Sequence, residues 1–475
     1  MQFIKNHIAA IGLIILLTGG YFLFGHELQR SNFGFLISLY TGLFILSWLL
    51  IKNYGINFWL LAGLGIFFRL LFFPVIPNLS QDFYRFLWDG RLLVDGINPY
   101  LFTPEQLLNN TPPKSILSNW TIDSWNAITV VQGQELYNGM GALNGSHYSN
   151  YPPINQLCFA IASFFTGKSI LGSAMVLRLL IILADIGILY FGRKLLIRLQ
   201  LPVENIFWYF LNPFIIIEMT GNLHFESVML FFVVWALYLL HRGNWVVAAI
   251  LWGLSISLKL LPLLLLPLFF MYFSKRDNAN RFLTPLGIKQ MLLFYSVTLA
   301  TVALTFAPFL SNAFVSNFGE SIGLWFQKFE FNASIYYIIR WIGFQTIGWN
   351  IIADVGKILP LFVVFILLLF TFFRKNKSTQ QLITSMLFGI SVYFLLSTTV
   401  HPWYIATPLV LSVFTKYKFP IVWSAMVMLS YSAYTPPVFG EELWLIAIEY
   451  LVVLGVFLYE VFWIKNDRLQ PAEHR

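Results

Sequence analysis

The chain reads as an all-α polytopic membrane protein, and three observations predict it. Of its 475 residues, 58% are hydrophobic and only 11% charged, with a mean hydropathy of +0.73. So few charges cannot cover a globular surface. Apolar runs near the roughly 20 residues needed to cross a bilayer recur along most of the chain. The Lys and Arg residues fall in short clusters between those runs, the pattern that orients helices across membranes. The formal charge of +8 is therefore no nucleic-acid signature. We expect about 14 spans in one integral membrane domain covering 1–475, with both ends cytoplasmic.

The first apolar run follows Lys5 and His7 without a small-residue cleavage site, so it reads as an anchor. Runs at about 8–25, 34–51 and 56–76 are long enough to cross. With Lys5 and Lys52 cytoplasmic, the third run delivers the chain to the outer side. The outer loop that follows, 77–170, contains the turn-rich stretches NNTPPKS and NGMGALNGSHYSNYPP between short amphipathic pieces. Its opening stretch, Leu79 to Tyr100, predicts a helix starting just after Pro77 with Ser80 as N-cap. Asp82, Arg85 and Asp89 then share one face, with Phe83, Phe86 and Leu87 opposite, as in a helix lying at a membrane surface. Gly96 and Asn98-Pro99 stop it.

The run Ile154 to Thr166 is too short to cross and is expected to stay at the outer surface as a juxtamembrane helix. If it crossed, the next span, about 171–192, would carry Arg193, Lys194 and Arg198 outside, against the charge rule. The clusters at Arg242, Lys275-Arg276-Arg281-Lys289, Arg374-Lys375-Lys377, Lys416-Lys418 and Lys465-Arg468 stay cytoplasmic if 245–273 is a hairpin of two short spans. Its break at Lys259-Leu260-Leu261-Pro262 places Lys259 outside. The other outer segments are Asn222 to Glu226, a second outer loop at 311–350, the corner His401-Pro402-Trp403-Tyr404, and Thr435 to Glu442.

The single cysteine, Cys158, excludes an intramolecular disulfide framework and a Cys-based zinc site. Neither HExxH, nor a P-loop, nor GxGxxG is present, which argues against protease, ATPase and nucleotide-binding readings. The polar groups gathered at the outer boundary are Asp82, Arg85, Asp89, Arg91, Arg178, Glu218, His224, Glu226, Lys259, Lys328, Glu330, Asn332, Arg340 and His401. Ionisable groups at membrane depth are costly and become functional candidates. Carboxylates among cations suit a sugar-phosphate lipid: a carboxylate accepts the proton of an attacking hydroxyl, and cations stabilise charge on a departing phosphate. The duller readings are that Arg178 and Lys259 snorkel to headgroups, that His224 and Glu226 form a hydrogen-bonded helix start, and that the Asp82 helix carries a solvated charged face. A metal held by Asp82, His224, Glu226 and His401 has only scattered spacing behind it, so no metal and no cofactor are expected.

The stretch Ser80-Gln81-Asp82-Phe83-Tyr84-Arg85-Phe86-Leu87-Trp88-Asp89-Gly90, followed by Gly96-Ile97-Asn98-Pro99-Tyr100, resembles the first outer loop of GT-C superfamily membrane glycosyltransferases. Bacterial polyprenyl-phosphate-mannose-dependent α-mannosyltransferases are the nearest likeness, and the first mannosyltransferase of GPI-anchor assembly is a more distant one. Tyr151-Pro152-Pro153, Asn212-Pro213, His224-Phe225-Glu226, Ser257-Leu258-Lys259 with Pro262, Phe329-Glu330-Phe331-Asn332 and His401-Pro402-Trp403-Tyr404 extend the likeness over about 56–415.

The resemblance implies an inverting sugar transfer, most naturally of mannose, from a polyprenyl-phosphate sugar to a glycan or glycolipid acceptor on the outer face of a bacterial inner membrane. Its first-loop acid matches Asp82, with Asp89 as fallback. An outer Arg holding the lipid phosphate matches Arg178 by position, and Arg85, Lys259 and Arg340 are further phosphate candidates. His224, Glu226, Asn332, His401 and Tyr404 are the substrate-binding candidates. Many relatives carry two adjacent acids where this chain has Gln81-Asp82, which leaves Asp82 alone at that spot. Two other classes compete: a polysaccharide polymerase or ligase using a lipid-diphosphate donor, and a lipid or solute transporter, which would predict paired repeats and mid-span charges beyond Asp185.

Overall fold

The structure is a computed structural model that describes residues 2–112, 125–274, 285–435 and 439–463. The basic clusters expected at Lys275, Arg276 and Arg281 and at Lys465 and Arg468 lie outside the described residues, as do residues 113–124 of the expected outer loop.

The described chain is helical, and its extended pairing is one isolated parallel bridge between Phe331 and Thr399. Among the described residues, seven helices are long and apolar enough to cross a membrane. They are Ile8–His26, Phe33–Tyr54, Ile170–Arg198, Gly287–Phe309, Ile352–Phe373, Thr379–Leu396 and Leu443–Phe462. The pair Pro213–Gly221 and Glu226–His241, bent by 116°, makes an eighth if taken as one broken span.

The expectation of about 14 spans is therefore not supported. A count of apolar runs assumes that each run is one continuous helix, and here several are not. Phe58–Leu70, Pro153–Thr166, Trp245–Ile256 and Phe419–Tyr434 are apolar but short. The second half of the expected 245–273 hairpin is no single helix: Pro262 and Pro267 open separate short turns, Leu261–Leu264 and Leu266–Phe269, before Phe270–Phe273. A proline lacks the N–H that a helix interior needs, so it restarts helices instead of continuing them. The break around Lys259 is present, with Leu258 and Lys259 N–H groups folding back on the Ser255 carbonyl at 3.2 and 3.1 Å.

Most of the core is one apolar cluster running from Leu17 to Val453, with two small satellites around Phe102 and Trp125 and around Ala333, Tyr336 and Leu359. The periphery is apolar too: Leu304, Leu361, Leu451 and Phe373 are exposed, as lipid-facing side chains must be.

The helix Asp82–Val94, which opens the loop after the third apolar run, ends as the sequence predicts, with Gly96 in a left-handed conformation at φ 75°. Two expectations about it are corrected. It begins at Asp82, one residue past the site that a Ser80 cap implies, and the Ser80 hydroxyl accepts the Asp82 N–H at 3.3 Å. Nor does it lie on a surface: it is packed between Pro153–Thr166 and Gly133–Gly145, and both its aromatic and its charged faces are buried. Two glycines permit this. A Cβ at Gly90 would run into the Phe159 carbonyl and the Ser163 hydroxyl, so only glycine lets the helices cross this closely. Gly141, at φ 77° and ψ 159°, kinks Gly133–Gly145, and the Gln81 side chain donates to the Met140 carbonyl there at 2.9 Å.

Candidate active site

The site grows from the start of the Asp82–Val94 helix. Asp82 is half-buried and accepts one long side-chain hydrogen bond, from Asn144 Nδ2 at 3.4 Å. Burial raises its carboxyl above the ordinary value. Lys259, the Asn144 bond and Arg30 pull it back, and Glu226 adds to the rise. Burial and then the Asp82 charge likewise raise the Tyr151 phenol, which sits just before Pro152-Pro153.

The opposite wall comes from a broken helix. Asn212 caps the Pro213 turn through its side chain, and the chain then runs as a wide helical turn over Ile216–Gly221. It unwinds and restarts at Glu226. Leu223, at φ 63°, adopts a left-handed backbone that a bulky residue takes only when its surroundings impose it. Asn222 holds the break to the segment leading into the Asp82–Val94 helix, its Oδ1 accepting the Leu79 N–H at 2.9 Å. This brings Glu226 to Lys259, with which it forms an ion pair; Glu226 is buried, and the Lys259 side chain keeps 22% of its surface exposed.

His224 stacks on Trp403 at 3.7 Å between ring centroids. Trp403 stacks on His401 at 4.5 Å, and His401 on Phe331 at 5.3 Å. His401 is held in register by the β-bridge, where Phe331 N–H donates to Thr398 at 3.1 Å and Val400 N–H to Phe331 at 2.8 Å. Burial, helped by Lys259, pushes the His401 imidazole down to about 3, so the ring is neutral near pH 7. Below His224, its Nε2 lies 3.6 Å from Glu218 Oε2, and Glu218 Oε1 accepts the Tyr431 hydroxyl at 2.8 Å. Tyr404, half-buried, meets His401 edge-on at 5.4 Å.

Asp82, His224, Glu226, Lys259, His401 and Tyr404 thus share one region. Glu218 lies beneath His224 in the same region, and the remaining candidates lie elsewhere. Asp89 is fully buried one layer behind, taking Arg85 Nε at 2.8 Å, Ser149 Oγ at 2.5 Å and Gln156 Nε2 at 2.9 Å. Arg85 also donates to the Asn144 and His147 carbonyls, at 2.9 and 2.8 Å. Arg178 is fully buried and gives its donors to the Thr220, Gly221 and Phe73 carbonyls at 2.8, 3.0 and 2.8 Å, bracing the broken helix. Arg340 pairs with Glu330 at 2.6 Å. Asn332, at φ 48°, donates from Nδ2 to Glu449 at 3.2 Å and from its backbone N–H to Glu441 at 2.6 Å.

Sequence reasoning missed Arg30, Arg69, Trp403 as the centre of the stack, and the acids Glu441 and Glu449. Alternation of the first spans places Arg30 on the Asp82 side, a basic residue on the wrong side of the charge rule, and that signal was available. Arg69 pairs with Asp185 at 2.8 Å inside the bundle, so the mid-span charge flagged at Asp185 has a structural partner. Among the described residues, no three His, Cys, Asp or Glu side chains converge as a metal-binding group.

A family model described as "Alpha-(1->6)-mannopyranosyltransferase, N-terminal domain" matches residues 22–275, more than half the chain. The chain is similar to alpha-(1->6)-mannopyranosyltransferase A of Mycobacterium tuberculosis, 22% identical over 418 residues, covering 81% of this chain and 71% of that protein. Its likeness to the enzyme of the same name from Corynebacterium glutamicum is 24% over 385 residues, covering 73% and 70%. To alpha-(1->6)-mannopyranosyltransferase B of that organism it is 26% over 180 residues, 37% of this chain and 26% of that protein. The matched interval contains Asp82, His224, Glu226 and Lys259, and the chain belongs to the alpha-(1->6)-mannopyranosyltransferase family.

Proposed function

We propose that the chain is an inverting mannosyltransferase that moves a mannosyl unit from a polyprenyl-phosphate donor to a hydroxyl of a glycan or glycolipid acceptor. Asp82 is the observation that carries this reading. It is a half-buried carboxylate with spare lone pairs, raised by burial, facing Lys259 and the buried Glu226. An acceptor hydroxyl attacks the anomeric carbon on the side opposite the phosphate, its proton passes to an Asp82 carboxylate oxygen, and the bond from that carbon to the phosphate oxygen breaks. The departing lipid phosphate gains one negative charge, which Lys259 offsets. The stacked rings of His224, Trp403 and His401 form a rigid neutral wall, and Tyr404 offers a hydroxyl at its rim.

Sidedness supports a lipid-linked donor. Phe33–Tyr54, Ile170–Arg198 and Glu226–His241 start at the end of the molecule that holds Asp82 and finish near Lys52, Arg198 and Arg242. By the charge rule that basic end is cytoplasmic and Asp82 faces outward, where nucleotide sugars are not made. The site then belongs on the periplasmic face of a bacterial inner membrane.

The test is incubation of the purified full-length protein with polyprenyl-phosphate mannose, or with a lipid-diphosphate oligosaccharide, and a panel of mannoside acceptors. Transfer from the monophosphate with inverted anomeric configuration is expected. Retention, or transfer only from the diphosphate, overturns the reading.

A further inference from the structure

One cation beside Asp82 came from none of the sequence motifs. Arg30 lies in the connection between Gln2–His26 and Phe33–Tyr54. The connection is docked onto the outer loop: Asn78 Nδ2 donates to the Phe24 and Leu28 carbonyls at 2.7 and 3.1 Å, and Arg30 Nη1 donates to the Leu79 carbonyl at 3.0 Å. Leu79 N–H is itself held by Asn222 of the broken helix. The Arg30 guanidinium lies over the Tyr434 ring, 4.1 Å from its centroid. Its charge acts on Asp82, Tyr431 and Tyr434, and the side chain is half-buried.

Each of the other site cations already has a partner, so Lys259 offsets the leaving charge only while it is shared with Glu226. Lys259 is paired with Glu226, Arg85 with Asp89 and Arg340 with Glu330, and Arg178 is surrounded by carbonyls. Among the described residues Arg30 forms no ion pair. It therefore contributes an unneutralised positive charge next to the carboxylate, on a mount fixed by a hydrogen bond and a ring face.

We propose that Arg30 binds the phosphate of the lipid-linked substrate and holds it as the leaving group departs. The proposal rests on the function given above and names a residue for its anionic end. A guanidinium presents N–H donors in a planar fork that matches two phosphate oxygens. Only one of those donors is used by Leu79, which leaves the rest for an anion. Because the lipid phosphate passes from one negative charge to two as the sugar leaves, a cation that has no carboxylate to release favours the later state.

The experiment uses the full-length protein in detergent. Mannosyl transfer is measured with polyprenyl monophosphate, polyprenol, inorganic phosphate or phosphatidylglycerol as competitor, for wild type, Arg30→Gln and Arg30→Lys. Glutamine keeps a donor for the Leu79 carbonyl but removes the charge. Expected is a weakening of polyprenyl monophosphate inhibition, and a rise in donor KM, of about 10- to 100-fold in Arg30→Gln. Acceptor KM and the unfolding midpoint stay constant, and Arg30→Lys recovers part of the loss.

Equal inhibition of wild type and Arg30→Gln by polyprenyl monophosphate overturns the proposal. So does competition by inorganic phosphate or phosphatidylglycerol as strong as that by polyprenyl monophosphate. Direct binding of labelled polyprenyl monophosphate to the same variants separates the two readings. If wild type shows no transfer from polyprenyl-phosphate mannose, the proposed function fails, while the binding difference still decides the role of Arg30.

Discussion

Asp82 and Asp89 stand seven residues apart on one helix, and their surroundings are opposite. Asp89 is sealed, each of its oxygens taken by short hydrogen bonds from Arg85, Ser149 and Gln156. Asp82 has one bond of 3.4 Å, an open side, and around it two cations, Lys259 and Arg30, and one like charge, Glu226. A fully buried carboxylate with both oxygens bonded is part of the frame, and a half-buried one with a single long bond can take a proton. The two turns divide the labour: Arg85 and Asp89 fix the 144–149 segment, and from it Asn144 reaches back to Asp82.

The comparison breaks most sharply at Asp82. Asp82→Asn should lower turnover by about 10² to 10⁴ while leaving the unfolding midpoint and the membrane level unchanged. Near-normal product formation would remove Asp82 as the base. Asp89→Ala should do the reverse, stranding the buried Arg85 and costing about 3–5 kcal/mol of stability, read as a lowered thermal midpoint in detergent. A variant that folds normally and loses only turnover would move Asp89 into the chemistry. Gly90→Ala should cost about 1–3 kcal/mol, because the added Cβ meets a backbone carbonyl that cannot swing away; an unchanged midpoint would mean that the helices separate freely.

The smallest effect is the most specific. The base form of Asp82 is lost as pH falls through its raised value, so activity declines on the acid side. Asn144→Ala removes a bond that favours the carboxylate and should move that acid limb to higher pH. Glu226→Gln removes a neighbouring negative charge and should move it lower. Both limbs shifting in the same direction would mean that another group governs the profile.

The sequence by itself determined the helical membrane character, the short helix at 153–166, the stop at Gly96 and the break before Pro262. Each follows from composition, run length or a residue whose backbone preference is local. The number of spans did not follow. Hydropathy records which residues are apolar and not whether successive carbonyls find their helical partners, and the Pro213–Glu226 break keeps its composition while losing its axis. Tertiary structure also decided which charges are available. Arg178 looks alike in sequence to Arg30, yet its partners come from distant segments, as Arg178 and Thr220 show at 42 residues apart, whereas Arg30 forms no ion pair among the described residues. A charge becomes framework or chemistry according to whether folding delivers it a complete set of bonds, and only the packed chain makes that delivery.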